Sequence, residues 1–396
     1  MKVMKVMKVM SDGTDRQYMM MAMAEAEKGV GAVSPNPMVG AVIVKDGKVI
    51  GKGHHVRYGG LHAEREALLD CKANGESPVG ATMYVTLEPC CHYGKQPPCT
   101  DAIVEAGIAR VVAGLGDPNP LVCGKGLEIL RSAGIVTECG LCENALMEQN
   151  RVFLKYITSR RPWTVLKYAM TADGKIAAVS GDSKWISGEQ SRRKAHLLRN
   201  RYTGIIVGIG TVLADDPMLN CRVEPSAGLR SPVRIILDSS ASIPVDSKIV
   251  RTAREYRTIV VHTEKASGQS LKRLKALGVE TLLCEADGSG RPDVACLCDE
   301  LGSMGIDSIL VEGGAETAWS FVSAGLVDEY YVFVAPKIIG GGNAKGPVGG
   351  DGFMKMCQAV PMAVADIALY GGDLEIHAYR KEFFKTLDRK ICLRES

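Results

Sequence analysis

Two short stretches of this chain carry residue types suited to metal-assisted hydrolysis. His62 and Glu64 stand one residue apart in His62-Ala63-Glu64, and Cys90 and Cys99 bound the segment Cys90-Cys91-His92-Tyr93-Gly94-Lys95-Gln96-Pro97-Pro98-Cys99. One imidazole and two thiolates form a three-ligand zinc set that leaves a fourth tetrahedral position for water. Zinc lowers the pKa of such a water to near neutrality. Glu64 can then take the proton and deliver it to a leaving amine. Both stretches open expected helices, and the dipole at a helix N-terminus favours a thiolate.

The order His-x-Glu, then Pro-Cys, then Cys is the signature of zinc-dependent nucleobase deaminases. That signature spaces its cysteines by two residues, whereas eight separate Cys90 from Cys99. Cys91 is therefore a competing ligand. Cys90 is preferred because it directly follows Pro89. The alternative is a closed structural site in which Cys91 or His92 supplies a fourth ligand, and it leaves Glu64 without a purpose.

The second half signals more weakly. Gly208-Ile209-Gly210 and Glu312-Gly313-Gly314-Ala315-Glu316 each follow an apolar run and open toward a helix, where backbone N–H groups can approach a phosphate. A glycine after a strand is equally often a plain turn. Arg199 lies on a basic helix with Arg192, Arg193, Lys194 and Arg201, a pattern also expected of a solvated face.

Alternating apolar runs at Val39–Val44 and Lys48–Gly53, joined by Asp46-Gly47, predict a hairpin. Helices are expected over 15–28, 62–71, 100–106, 125–133 and 142–158, with strands over 82–86, 110–115 and 135–138 between them. A polar break at Ser159-Arg160-Arg161-Pro162 precedes a second alternation. Its strands begin at Trp163, Gly204, Val233, Thr258, Glu280, Ser308 and Glu329, and a closing hairpin turns at Gly371-Gly372. Two α/β layered domains are expected, over 11–158 and 159–382. Residues 1–10 (MKVMKVMKVM) read as a leader outside both, and 383–396 as a solvated tail.

At 396 residues and a net charge of +3, with 48 basic and 45 acidic residues, the chain offers no broad nucleic-acid or membrane surface. Aromatics are only 5%, which also argues against a stacking platform for nucleic acid. Thirteen cysteines are an odd number in a chain large enough to build its own cores, so a reduced, cytoplasmic setting is expected. Outside the 90–99 segment they read as small apolar fillers.

The run Thr86-Leu87-Glu88-Pro89-Cys90 through Cys99-Thr100 resembles the deaminase half of the RibD family of riboflavin biosynthesis proteins. So do Asn36-Pro37-Met38-Val39-Gly40, Gly59-Gly60-Leu61-His62-Ala63-Glu64 and Asp117-Pro118-Asn119-Pro120. Lys167–Lys175, Gly181–Ser187, Val207–Pro217 and Val311–Gly314 resemble the family's reductase half, in order along the chain. The resemblance implies a cytidine-deaminase-like α/β/α domain followed by a dihydrofolate-reductase-like α/β domain. It implies deamination of 2,5-diamino-6-ribosylamino-4(3H)-pyrimidinone 5′-phosphate, then reduction of the ribosyl group by NADPH. It places Asn36 at the deaminase substrate. Ala169, Trp185, Thr211, Asp215, Ser239 and Gly314, Ala315, Glu316 and Thr317 fall at NADPH, and Ser183, Arg199, Leu219, Arg222 and Glu312 at the reductase substrate. Arg199 and Arg222 would clamp the substrate phosphate with forked donors, and Glu312 would accept from sugar hydroxyls. Small pyrimidine ribosyl phosphates and further copies of the chain are the expected partners, without nucleic acid or membrane. A different nucleobase or tRNA deaminase fused to another reductase is the competing reading.

Overall fold

The computed structural model describes residues 2–223 and 229–381, with side chains from Gly13 onward. The expected tail over 383–396 and Cys392 lie outside the described residues. The chain divides between Ser159 and Arg160 into two compact units.

The first unit runs α1 (Lys2–Glu27), β1 (Gly40–Lys45), β2 (Lys48–His54), α2 (Ala63–Ala73), β3 (Thr82–Val85), α3 (Cys99–Glu105), β4 (Arg110–Ala113), α4 (Lys125–Ser132), β5 (Val136–Cys139), α5 (Glu143–Gln149) and α6 (Arg151–Ser159). The strands form one sheet in the order β2-β1-β3-β4-β5. β1 pairs antiparallel with β2 and β3, and β3, β4 and β5 are parallel. The β1–β2 turn is the one the sequence predicts, with Asp46 and Gly47 both at positive φ (51° and 75°). Alternate residues of the strands divide the two faces. Ala41, Ile43, Met83, Val85, Val111 and Ala113 share a core with Ala67 of α2, Ile103 of α3 and Leu130 of α4. α2 lies so close over β2 that a Cβ at Gly53 would stand 2.3 Å from Ala67 N. Glycine at this position lets the helix carrying His62 and Glu64 settle on the sheet.

Two expectations are corrected here. α1 begins at Lys2, well before the start of the helix expected over 15–28. Methionine and lysine are good helix formers, which accounts for the extension. The single helix expected over 142–158 is broken at Asn150 into α5 and α6. The Asn150 side chain accepts from Met38 N (2.9 Å) and donates to Met38 O (3.0 Å), a distant contact that outweighs local helix continuity.

The second unit comprises β6 (Trp163–Thr171), α7 (Glu189–Arg201), β7 (Gly204–Gly208), α8 (Ile209–Asp215), β8 (Val233–Leu237), α9 (Lys248–Arg251), β9 (Thr258–His262), α10 (Gly268–Ala276), β10 (Glu280–Leu283), α11 (Val294–Ser303), β11 (Ser308–Glu312), α12 (Ala315–Ser323), β12 (Glu329–Ala335), β13 (Met362–Tyr370) and β14 (Asp373–Arg380). Its nine-stranded sheet has the order β10-β9-β8-β7-β11-β6-β12-β14-β13. The first seven strands in that order are parallel, and the β14–β13 hairpin adds antiparallel at one edge. The central strands are buried on both faces. Ile206 and Ile235 pack with α11 and α12, while Ile205, Val207 and Ile236 pack with α8, α9 and α10. That two-sided burial is why these strands read as continuous apolar runs.

Candidate active sites

In the first unit His62 is the N-cap of α2 and Cys99 opens α3. Cys90 lies in the loop between β3 and α3. His62 Nδ1 is 3.4 Å from both Cys90 Sγ and Cys99 Sγ, and the three donor atoms lie within 4.8 Å of one another. Zinc bonds of about 2.0–2.3 Å in tetrahedral array put neighbouring donors about 3.3–3.8 Å apart, so this donor set fits zinc. Cys91 turns its Sγ toward Leu121 O (3.7 Å). Among the described residues no fourth protein ligand joins the cluster, which leaves the open coordination position that hydrolysis needs.

Hydrogen bonding with Cys99, and then with His62, outweighs burial and holds the Cys90 thiol down at about 4. The Cys99 thiol is held up by the same pairing, with burial adding to it. Glu64 is 3% exposed, and burial, reinforced by the neighbouring Cys90 charge, pushes its carboxyl up to about 7. A bound dication would draw both thiols toward thiolate and the carboxyl back toward carboxylate.

Asn36 reaches this site through a residue the sequence reading did not single out. Its Nδ2 lies 3.1 Å from His55 Nε2, and His55 Nδ1 lies 2.8 Å from Leu61 O, beside the His62 ligand. His55 is 3% exposed, its ring stands edge-on to His62 at 5.4 Å, and burial lowers its pKa. A neutral His55 donating from Nδ1–H to Leu61 O can accept from Asn36. The amide oxygen and second N–H of Asn36 then remain for a ligand. Lys95, on the long inter-cysteine loop, lies 3.9 Å from the Tyr58 ring centroid, and Gln96 Nε2 donates to Gly59 O at 3.1 Å.

In the second unit Thr211, Glu312, Gly314 and Thr317 lie together beyond the carboxyl ends of β7 and β11, where open α/β sheets bind ligands. Gly313 and Gly314 have φ of 92° and 81°. A Cβ on either would stand 3.4–3.5 Å from Thr211 Oγ1, and one on Gly208 would stand 2.7 Å from Thr317 Oγ1. This narrow, glycine-lined and hydroxyl-edged cradle at the start of α12 suits a pyrophosphate. Ser239 follows β8, Ala169 lies within β6, and Asp215 ends α8 with its carboxylate 3.9 Å from Lys184 Nζ. Glu316 accepts from Gly350 N (3.1 Å) and Arg291 Nη1 (2.9 Å). Ser183 and Trp185 sit on the segment before α7. Trp185 is 64% exposed, with the Arg192 guanidinium 4.6 Å from its ring centroid, so it is not a core residue.

The expected free fork on Arg199 is corrected. Nε and Nη2 donate to the two oxygens of Glu312 at 2.9 and 2.8 Å, and Nη1 to Asn220 O at 3.2 Å. Both partners are largely buried, where an unpaired charge would be costly, so each satisfies the other. Burial opposes ionisation of Glu312, but Arg199 and Lys167 outweigh it and hold the carboxyl down at about 2. Lys167, the β6 register partner of Glu312, is a second residue the sequence reading did not single out. Burial lowers its pKa, and Glu312 partly offsets that. Leu219 buries its side chain at 3% exposure with φ at 54°, so only its backbone is available to a ligand. Arg222 keeps an exposed side chain, and its backbone N–H donates to His196 Nδ1 at 3.2 Å.

None of the twelve described cysteines forms a disulfide. They are not uniformly apolar fillers: Cys71, Cys284 and Cys298 are buried, whereas Cys139 and Cys357 are exposed. Among the described residues no helix is long and apolar enough to cross a membrane.

Residues 12–115 match the cytidine and deoxycytidylate deaminase zinc-binding region, and residues 162–374 match the RibD C-terminal domain. The chain is 46% identical to riboflavin biosynthesis protein RibD of Actinobacillus pleuropneumoniae over 91% of its own length and 94% of that protein's. It is 39% identical to RibD of Escherichia coli over 92% and 98% of the two chains. Among solved structures it is similar to a diaminohydroxyphosphoribosylaminopyrimidine deaminase/5-amino-6-(5-phosphoribosylamino)uracil reductase from Thermotoga maritima. That match has a TM-score of 0.82 and 37% identity, covering 93% of this chain and 99% of that one.

Proposed function

The chain belongs to the RibD family, and from that premise we propose how its two units divide a deamination and a reduction in riboflavin biosynthesis. The first hydrolyses the amine of 2,5-diamino-6-ribosylamino-4(3H)-pyrimidinone 5′-phosphate. The second reduces the product, 5-amino-6-(5-phosphoribosylamino)uracil, with NADPH. The convergence of His62, Cys90 and Cys99 beside the buried Glu64 carries the deaminase reading.

His62, Cys90 and Cys99 hold the zinc. Bound there, zinc supplies a water acidic enough to yield a nucleophile near neutral pH. Glu64 would hold a proton on its buried carboxylate and pass it to the departing amine. Asn36, fixed by His55, orients the pyrimidine ribosyl phosphate. In the second unit Thr211, Gly314, Ala315, Glu316 and Thr317 surround the cofactor's phosphates, with Ala169, Trp185, Asp215 and Ser239 along its length. NADPH supplies the hydride. Glu312 and Lys167 face the reacting sugar at the sheet end, and Arg199 holds the Glu312 carboxylate in one orientation. Arg222, with its guanidinium exposed, is the phosphate clamp in place of Arg199. Ser183 and the Leu219 backbone complete the substrate contacts.

Stripping zinc with a chelator separates the two reactions. Ammonia release from the diaminopyrimidine substrate should disappear, while NADPH oxidation on separately supplied deaminated substrate continues. Loss of both together, or of neither, would count against this division.

The chain self-associates through its second unit. Among the described residues β13 ends the nine-stranded sheet with an unpaired edge. Val364, Ile367 and Leu369 are 57%, 60% and 72% exposed, and Asp366 is the strand's one charged residue. A long, apolar, nearly uncharged edge invites pairing with another strand, and a second copy presents the same strand antiparallel about a two-fold axis. Light scattering on the full chain should give a multiple of the 42.4 kDa chain mass. Lysine in place of both Ile367 and Leu369 should return it to one. A wild-type monomer at micromolar concentration defeats the idea. The lack of a disulfide among the described cysteines fits a cytoplasmic setting.

A further inference from the structure

Glu88 stands two residues before Cys90 and is 4% exposed. Its N–H donates to Leu115 O (2.8 Å), just past β4. Its carboxylate reaches the start of α4 and accepts four backbone N–H groups. Oε1 takes Gly126 (3.0 Å) and Leu127 (3.3 Å), and Oε2 takes Gly124 (2.9 Å) and Asp117 (3.3 Å). The first N–H groups of a helix have no partner within it, and α4 has no side-chain cap at its own N-cap residue, Gly124. Glu88 caps α4 from a distance. The fit is close: a Cβ on Gly126 would stand 2.1 Å from Pro89 O.

Cys90 is held from its other side as well. Its carbonyl accepts from Cys99 N (3.0 Å) and Thr100 N (3.2 Å), the opening donors of α3, and its Sγ accepts from Cys99 N at 3.4 Å. The Pro89–Cys90 turn is thus fastened between two helix starts. The α3 fastening is made by Cys90 itself, and the α4 fastening passes through Glu88.

We propose that Glu88 is a positioning residue for the zinc centre, its carboxylate locking the Pro89–Cys90 turn onto α4 so that Cys90 Sγ is presented to the metal beside His62 and Cys99. The inference rests on the zinc reading above. Glu88 does not touch the metal; it acts through the turn, as the outer partners of metal ligands do.

The test uses the full chain with Glu88→Gln, which keeps the shape but turns one acceptor oxygen into a donor facing N–H groups. Chelator competition should show zinc affinity lowered about 10–100-fold. The cobalt-substituted protein should lose intensity in its thiolate-to-metal absorption. NADPH-dependent reduction in the same preparation should be unchanged, which shows that the second unit is intact. Gly126→Ala, which keeps the Glu88 carboxylate but presses an added Cβ on Pro89 O (2.1 Å) and on Glu88 Oε1 (3.2 Å), disturbs the same fastening, should weaken zinc in the same direction and replaces Glu88→Gln if that chain fails to fold. A variant that melts lower yet binds zinc and cobalt as the wild type does overturns the positioning role and leaves the zinc reading standing. A wild-type chain that takes up no zinc overturns the zinc reading and this inference with it.

Discussion

Glu64→Gln should cut ammonia release by about 10²–10⁴-fold while zinc content and NADPH oxidation by the second unit hold. The size follows from the position. Glu64 is buried in the first turn of α2, two residues past the His62 ligand. Water reaches such a site poorly, so another base replaces the lost carboxylate inefficiently. Glutamine preserves volume and polarity but neither takes up nor releases a proton at neutral pH. A loss in kcat with little change in KM marks a group needed in the transition state rather than for binding. Metal analysis on the same sample separates proton transfer from metal loss. Ammonia release at a normal rate from a zinc-loaded Glu64→Gln chain would remove Glu64 from the mechanism.

Glu312→Gln should have the largest effect in the second unit. It leaves the Arg199 guanidinium buried without its counter-ion. Breaking a buried pair from one side costs about 3–5 kcal/mol, a drop of about 6–20 °C in Tm for a domain of this size. Calorimetry should show the lower transition falling in the second unit, and NADPH oxidation should fall with it while ammonia release persists. The effect has a pH signature. Burial disfavours the Glu312 carboxylate, but Arg199 and Lys167 hold its folded pKa at about 2, below an unfolded value of about 4.3. The stabilisation is therefore complete above about pH 4.3 and lost as pH falls through about 2. Wild type and variant should differ most at neutral pH and converge in acid. Equal melting at neutral pH would mean that the pair does not support the fold.

The candidate zinc cluster of His62, Cys90 and Cys99 was legible in the sequence because its signal is local. His62 and Glu64 are one residue apart, and Pro89 marks which of the adjacent cysteines turns inward. The central strands of the second unit were legible because two-sided burial writes an unbroken apolar run. The Arg199–Glu312 pair was not, since its partners are 113 residues apart and each charge alone reads as a ligand contact. His55 was missed for a similar reason: its value lies in touching Asn36 and Leu61, and nothing about the second of two adjacent histidines at the end of a strand announces that. The break at Asn150 followed from the Met38 backbone, on a different part of the chain. Local pattern thus specified which donor residues cluster, and tertiary contact decided how charges and amides are held.

The insertion of β11 between β7 and β6 orders events during synthesis. β6 begins at Trp163, but its register partner on one side, Ser308, is far downstream. Until the ribosome has passed Glu312, the central sheet of the second unit has a gap and its apolar strands stay exposed. The first unit closes its sheet with neighbours from residues 40 to 139, and domains fold N-terminal first as they emerge. The newborn chain can therefore assemble its metal-ligand cluster while the reductase sheet is still open. The waiting interval falls on the second unit, where distant pairing slows closure and where chaperones have the most unburied surface to protect.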